Sequence, residues 1–210
     1  MQVLIGTTNP SKLKLFQDVL TGYPIEFVTL RDLGINTEPE EMGNTPEENA
    51  AVKARFYGQY ADYVICNDSG LYFDGMELDD PRQPGLHIRT PYGKRLDDEQ
   101  MIDHYSKLIH SLGGKVLAYY LDAFAVKTPE GMHTYMKSRE EARKGAFWML
   151  DTPVAKRRPG WPLDSLSKEL DDTSFLEEGV ELKPSTTGAT KKAWVRFLVS
   201  ALGLDTGEEA

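Results

Sequence analysis

The stretch IGTTNPSK, Ile5 to Lys12, joins the apolar run Met1 to Ile5 to a segment of a different period. The run before it reads as a short buried strand. After it, Leu13, Phe16, Val19 and Leu20 recur at helical spacing. Asn9 is a favoured N-cap and Pro10 suits the first helical position, so a strand passes into a helix across a hydroxyl-rich turn. A helix N-terminus offers unpaired N–H groups and the positive end of its dipole, and Lys12 adds a full charge in the first turn. That combination suits an anion such as phosphate. The same residues also describe an ordinary capped helix with a solvated lysine, and the turn alone does not choose between the two.

Working outward, Ile25 to Leu30 reads as a second strand and Tyr63 to Cys66 as a third, ending at Asn67-Asp68-Ser69-Gly70 before Leu71-Tyr72-Phe73 resumes. Thr45-Pro46-Glu47-Glu48 has the form of a capping box, and the helix it opens puts Asn49 and Lys53 on one face. Asp98 to Leu112 is helical, with Met101, Tyr105, Leu108, Ile109 and Leu112 inward and Gly113-Gly114 as the stop. Val116 to Lys127 and Met132 to Arg139 read as a hairpin, with Gly145 to Leu150 continuing the sheet. TPVAKRRPGWPLDSL reads as a loop. A last helix spans Ala189 to Leu202, with Trp194, Phe197, Leu198 and Leu202 buried. Helices near both ends around a central hairpin predict an α/β chain with a mixed, partly antiparallel sheet. Residues 1–203 are expected to form one domain and 204–210 a short acidic tail.

The 210 residues are 40% hydrophobic, enough for a core, and no window approaches a membrane span. The first residues lack a secretory pattern, and the single Cys66 excludes an internal disulfide, so a cytoplasmic protein is expected. A net charge of −9 argues against nucleic-acid binding. His87, His104, His110 and His133 have no zinc-ligand spacing, and neither a GxxxxGK[ST] loop nor a GxSxG elbow is present. What remains is Lys12, Glu41, Lys53 and Asp68: two lysines for phosphate oxygens and two carboxylates for a hard cation.

TTNPSK, then EEMGNTPEENAAVKA, then NDSGL, with Pro84-Gly85 and Arg89 following, resembles the inosine triphosphate pyrophosphatase family, clearly over about the first 90 residues. The resemblance implies a two-lobed α/β fold with an elongated mixed central sheet flanked by helices. It further implies a nucleotide cleft between the lobes, a homodimer, and cleavage of a nucleoside triphosphate to monophosphate and pyrophosphate. Carried onto this chain, Thr7, Thr8, Asn9, Lys12, Asn49, Lys53, Ser69, Arg89 and Lys183 would bind substrate. Glu41 and Asp68 would hold Mg²⁺ (or Mn²⁺), with Asp68 also orienting or deprotonating the attacking water and Lys12 and Lys53 neutralising phosphate charge. Trp161 would stack on the base and Asp164 take a base N–H.

The departures lie at Thr8, where the family has a second glycine, at Asn67, where it has an Asp, and after Lys183, where Pro184-Ser185-Thr186 replaces its Ser-His-Arg. The last change touches the groups that read a 6-keto purine, and loss of such a group alters discrimination strongly. A nucleotide-binding protein without turnover and a hydrolase of another phosphoanhydride are the competing readings.

Overall fold

The computed structural model describes residues 1–171, 173–176 and 188–204. β1 (Gln2–Ile5) leads into α1 (Pro10–Val19), where the Asn9 side chain accepts from the Ser11 N–H at 2.9 Å and Pro10 fills the first turn, as its sequence predicts. β2 (Glu26–Thr29) and β3 (Val64–Phe73) lie parallel to β1 on its two sides, and α2 (Pro46–Tyr57) connects them. Then come α3 (Asp98–Ser111), the hairpin β4 (Lys115–Thr128) and β5 (Gly131–Met136), and α4 (Arg139–Arg143). β6 (Phe147–Leu150), β7 (Ser167–Lys168) and α5 (Gly188–Ala201) complete the order.

The strands form one seven-stranded sheet in the order β2-β1-β3-β4-β6-β7, with β5 on β4. It is parallel at β2, β1 and β3 and antiparallel where β4 meets β5 and β6. The mixed sheet expected from the sequence is therefore present.

The chain divides into two compact units. Met1–Asp68, Asp122–Met136 and Gly188–Ala210 make the first, and Ser69–Leu121 with Lys137–Thr187 the second. In the first unit Val3, Ile5, Phe16, Ile65, Phe124, Trp194 and Leu198 pack into one cluster, with Trp194 edge-on to Phe124 at 4.7 Å. A second cluster places Ala50, Ala54 and Tyr57 of α2 against Leu4, Val64 and Cys66. Gly6 is required there, since a Cβ would lie 2.4 Å from Cys66 Sγ and 2.7 Å from the Tyr57 ring. In the second unit Leu71, Phe73, Met101, Tyr105, Ile109, Met149 and Leu166 form the core.

Several predicted boundaries change. Asn67 to Gly70 is not a break: β3 runs through it without interruption. Asn, Asp, Ser and Gly are turn formers by local preference, but Asn67 and Asp68 are buried and the Asp68 carboxylate is held from α2, which keeps the backbone extended. Gly70 serves the strand, because a Cβ there would meet the Tyr72 ring at 2.6 Å. β5 stops at Met136, and Arg139 opens α4 instead, since Ser138 and Glu141 form a reciprocal capping box. The loop after Leu150 contains a 3-10 turn over Pro162–Leu166 and β7. Phe197 is half-buried, not buried, and stacks on Tyr135 at 5.4 Å, while Leu108 and Leu112 pack against the second unit's core as their inward spacing predicts. Residues 205–210 of the expected tail lie outside the described residues.

Candidate active site

α2 carries the centre of the site because its cap fixes where it starts. Thr45 Oγ1 accepts from the Glu48 N–H at 3.1 Å, which sets Asn49 and Lys53 one turn apart on the face toward β3. Lys53 Nζ reaches Asp68 Oδ1 at 2.8 Å and Glu41 Oε1 at 3.0 Å. Asn49 Nδ2 donates to the other Asp68 oxygen at 3.2 Å, while Asn49 Oδ1 accepts from the Gly43 N–H at 2.8 Å. One buried amide thus ties the Glu41–Gly43 loop to Asp68. Gly43 has no room for a side chain, because a Cβ would stand 2.6 Å from Asn49 Oδ1. The acids one turn back on α2 are engaged elsewhere: Glu47 accepts from Thr134 and Glu48 from the Asn44 N–H.

The surroundings shift the two lysines in opposite directions. Burial and the neighbouring Lys53 charge push Lys12 below its ordinary 10.5, against the opposing pull of Asp68, Asp122 and Glu41. Burial works against the charge of Lys53 too, but Asp68 and Glu41 outweigh it and raise its value. A half-buried cation held below its ordinary value gains most from an incoming anion, so Lys12 is the less satisfied of the two. Asp122, a carboxylate within the otherwise apolar run of β4, was not singled out from sequence; its isolation there was the available signal.

Thr7 and Asn9 use their side-chain oxygens to cap α1: Thr7 Oγ1 accepts from the Asn9 N–H at 3.1 Å and Asn9 from Ser11. Thr8 is exposed and donates to Glu38 at 3.2 Å. Ser69 is half-buried, next along β3. The structure thus groups Lys12, Glu41, Asn49, Lys53 and Asp68, with the Thr7–Asn9 turn in the same unit. Lys183 lies outside the described residues.

Arg89, Trp161 and Asp164 belong to the second unit and form their own group. Arg158 links two of them: it donates to Asp164 Oδ2 at 3.0 Å and lies 5.3 Å from the centre of the Trp161 ring. Burial raises the Asp164 value, with Arg158 opposing. The Trp161 indole N–H is buried with no acceptor among the described residues. Arg89 Nη2 donates to Asp98 at 2.9 Å and to the Gly160 carbonyl at 3.2 Å.

Among the described residues no three His, Cys, Asp or Glu side chains gather as a ready metal cage. Glu41 and Asp68 nevertheless converge on one ammonium, so their bonded oxygens are at most 5.8 Å apart (2.8 plus 3.0). Hard oxygen donors in that number fit Mg²⁺, which takes one or two carboxylates and completes its shell with water and phosphate.

The model of the Ham1 family matches residues 3–143. A dITP/XTP pyrophosphatase of Thermoanaerobacter pseudethanolicus is 33% identical over 187 residues, covering 85% of this chain and 88% of that protein. One from Caldanaerobacter subterraneus is 35% identical over 132 residues, 60% of this chain and 62% of that protein. Among solved structures, the Ham1 protein of Coxiella burnetii aligns with a TM-score of 0.71 at 18% identity, over 95% of this chain and 99% of that one. That of Staphylococcus aureus aligns at 0.67 and 20%, with the same coverage.

Proposed function

The chain belongs to the Ham1 family, and from that premise we propose that it hydrolyses non-standard purine nucleoside triphosphates, such as ITP, XTP and their deoxy forms, to monophosphate and pyrophosphate. The observation that carries the chemistry is the Lys53 ammonium held by both Asp68 and Glu41, with Lys12 acting on the same group. Phosphoanhydride cleavage needs charge neutralisation and positioning more than covalent help.

In this reading Lys12 and the α1 N-terminus take phosphate oxygens, and Lys53 neutralises charge that develops on the leaving group. Each Asp68 oxygen accepts one bond, from Lys53 or Asn49, which leaves further lone pairs to orient the attacking water. Glu41 and Asp68 would hold the divalent ion, which supplies Lewis-acid polarisation of the phosphate. The base preference comes from the relatives' substrates, and Trp161 with Asp164 supply an aromatic face and a carboxylate to read it. In this proposal the chain is also a cytoplasmic homodimer, and sedimentation at micromolar concentration tests the dimer. Among the described residues no helix is long and apolar enough to cross a membrane.

The decisive experiment is pyrophosphate release with Mg²⁺ from ITP, XTP, dITP and the standard triphosphates. Release is expected to favour the non-standard purines. Asp68→Asn should lower kcat at least about 10²-fold, in the range of losing one preorganised electrostatic group. Orthophosphate as the product, or equal turnover by Asp68→Asn, would exclude this assignment.

A further inference from the structure

Asp98 follows the N-cap of α3 and looks like one more first-turn acid. The capping work is already done by Asp97, whose carboxylate accepts from the Gln100 N–H at 2.8 Å. Asp98 is turned elsewhere. Its Oδ2 accepts from the Gly160 N–H at 2.8 Å and its Oδ1 from Arg89 Nη2 at 2.9 Å. The same Arg89 nitrogen donates to the Gly160 carbonyl at 3.2 Å. Both backbone polar groups of one glycine are therefore gripped by one acid–base pair.

Gly160 stands at φ +82, in the left-handed region that side-chain-bearing residues disfavour. The following Trp161 N–H closes a turn on the Arg158 carbonyl at 2.9 Å. The clamp thus fixes the backbone immediately before Trp161, whose buried indole N–H has no acceptor among the described residues. Leaving such a donor without an acceptor is unfavourable, so the ring needs a scaffold that holds it in place. Arg158, in the same turn, approaches the Trp161 ring and pairs with Asp164.

We propose that Asp98 is a positioning residue for base selection: with Arg89 it locks the Gly160 turn and so sets the orientation of Trp161 without itself touching the nucleotide. This rests on the reading of Trp161 and Asp164 as the base-recognising pair. It also assigns Arg89, through its bonds to Asp98 and Gly160, a part in shaping that turn.

The test measures kcat and KM for ITP and GTP in the wild type, Asp98→Ala, Asp98→Asn and Arg89→Ala, with thermal midpoints taken alongside. In Asp98→Ala the ratio of kcat/KM for ITP over GTP should fall on the order of tenfold, mostly through KM, as expected when a reading group is misplaced. Asp98→Asn keeps one acceptor and should fall between. The double variant Asp98→Ala/Arg89→Ala should lose no more selectivity than either single change, because the two act as one clamp. An equal loss on both nucleotides, which leaves the ratio unchanged, or no change at all in Asp98→Ala overturns the proposal, whatever the midpoints do. A wild type that prefers neither nucleotide overturns it as well. A wild type that releases pyrophosphate from no nucleotide overturns the proposed function and this inference together, whereas a selective wild type with an equally selective Asp98→Ala overturns the inference alone.

Discussion

Lys12 and Lys53 show how two like residues in one site are given different work. Lys53 has its value raised above the ordinary 10.5, so its ion pairs contribute stability that is fully present below 10.5 and lost as pH rises through the folded value. Lys12 is lowered, so between its folded value and 10.5 the unfolded chain binds more protons than the folded one. Across that window its contribution to stability rises with pH. Lys53 thus meets the substrate with its charge shared between Asp68 and Glu41, whereas Lys12 has the greater need of an incoming anion. An anion beside Lys12 should reverse its shift. Competitive labelling with an amine-selective reagent across pH 7 to 11 is expected to show the Lys12 midpoint moving upward with saturating pyrophosphate. A Lys12 midpoint indifferent to pyrophosphate would remove it from the phosphate grip. A Lys53→Met change should cost activity on every nucleotide alike, by about 10²-fold or more, because it removes charge neutralisation and leaves the base readers untouched.

At the scale of elements, α2 determines how the Glu41 loop, Asn49 and Lys53 meet Asp68 on β3. Gly43→Ala would force a Cβ to 2.6 Å from Asn49 Oδ1 and 2.7 Å from Glu48 Cβ, so the loop carrying Glu41 must move. Crowding of this kind costs about 1–3 kcal/mol of stability, but the displaced Glu41 should lower kcat/KM on the order of tenfold or more. Thr45→Ala makes the contrast. It removes the α2 cap, costs about 1 kcal/mol, lowers Tm by roughly 2–4 °C in a chain of this size, and should change kcat/KM less than about threefold. Calorimetry paired with steady-state rates separates the two, and equal activity losses would place Gly43 outside the site.

The start of α2 was legible because Thr-Pro-Glu-Glu is a local signal, as was the Asn49–Lys53 face, which follows from a four-residue spacing. The reciprocal half of the expected capping box was not: Glu48 accepts from Asn44 N–H at 2.6 Å, one residue before the cap. Continuity of β3 through Asn67–Gly70 was hidden for a different reason, since it depends on partners 15 and 19 residues back along the chain. The clamp at Asp98 depends on a residue 62 positions away, and in sequence Asp98 cannot be told from any acid beside an N-cap.

At the scale of the molecule, the family match ends at residue 143, but the fold does not. The first unit is built from three separate segments, and the last of them brings Trp194, Leu198 and Val199 of α5 and the following Leu202, all buried in the cluster that holds β1 and α1. At about 1.5–3 kcal/mol for each large apolar side chain, these four approach roughly 10 kcal/mol, comparable with the ~5–15 kcal/mol that holds a whole domain together. The second unit likewise takes Phe147, Met149, Leu163 and Leu166 from beyond residue 143. Each unit is therefore incomplete in a chain cut at the end of the matched span, although Lys12, Glu41, Asn49, Lys53 and Asp68 of the candidate site all lie before that cut. A 1–143 fragment is expected to lack near-ultraviolet circular dichroism and amide dispersion and to release no pyrophosphate. The milder Leu198→Ala variant of the full chain should fold, lose about 2–5 kcal/mol, and keep its base preference. A 1–143 fragment that folds and binds pyrophosphate would show that β1, α1 and α2 position the phosphate grip without α5, and that the cluster around Trp194 serves only stability.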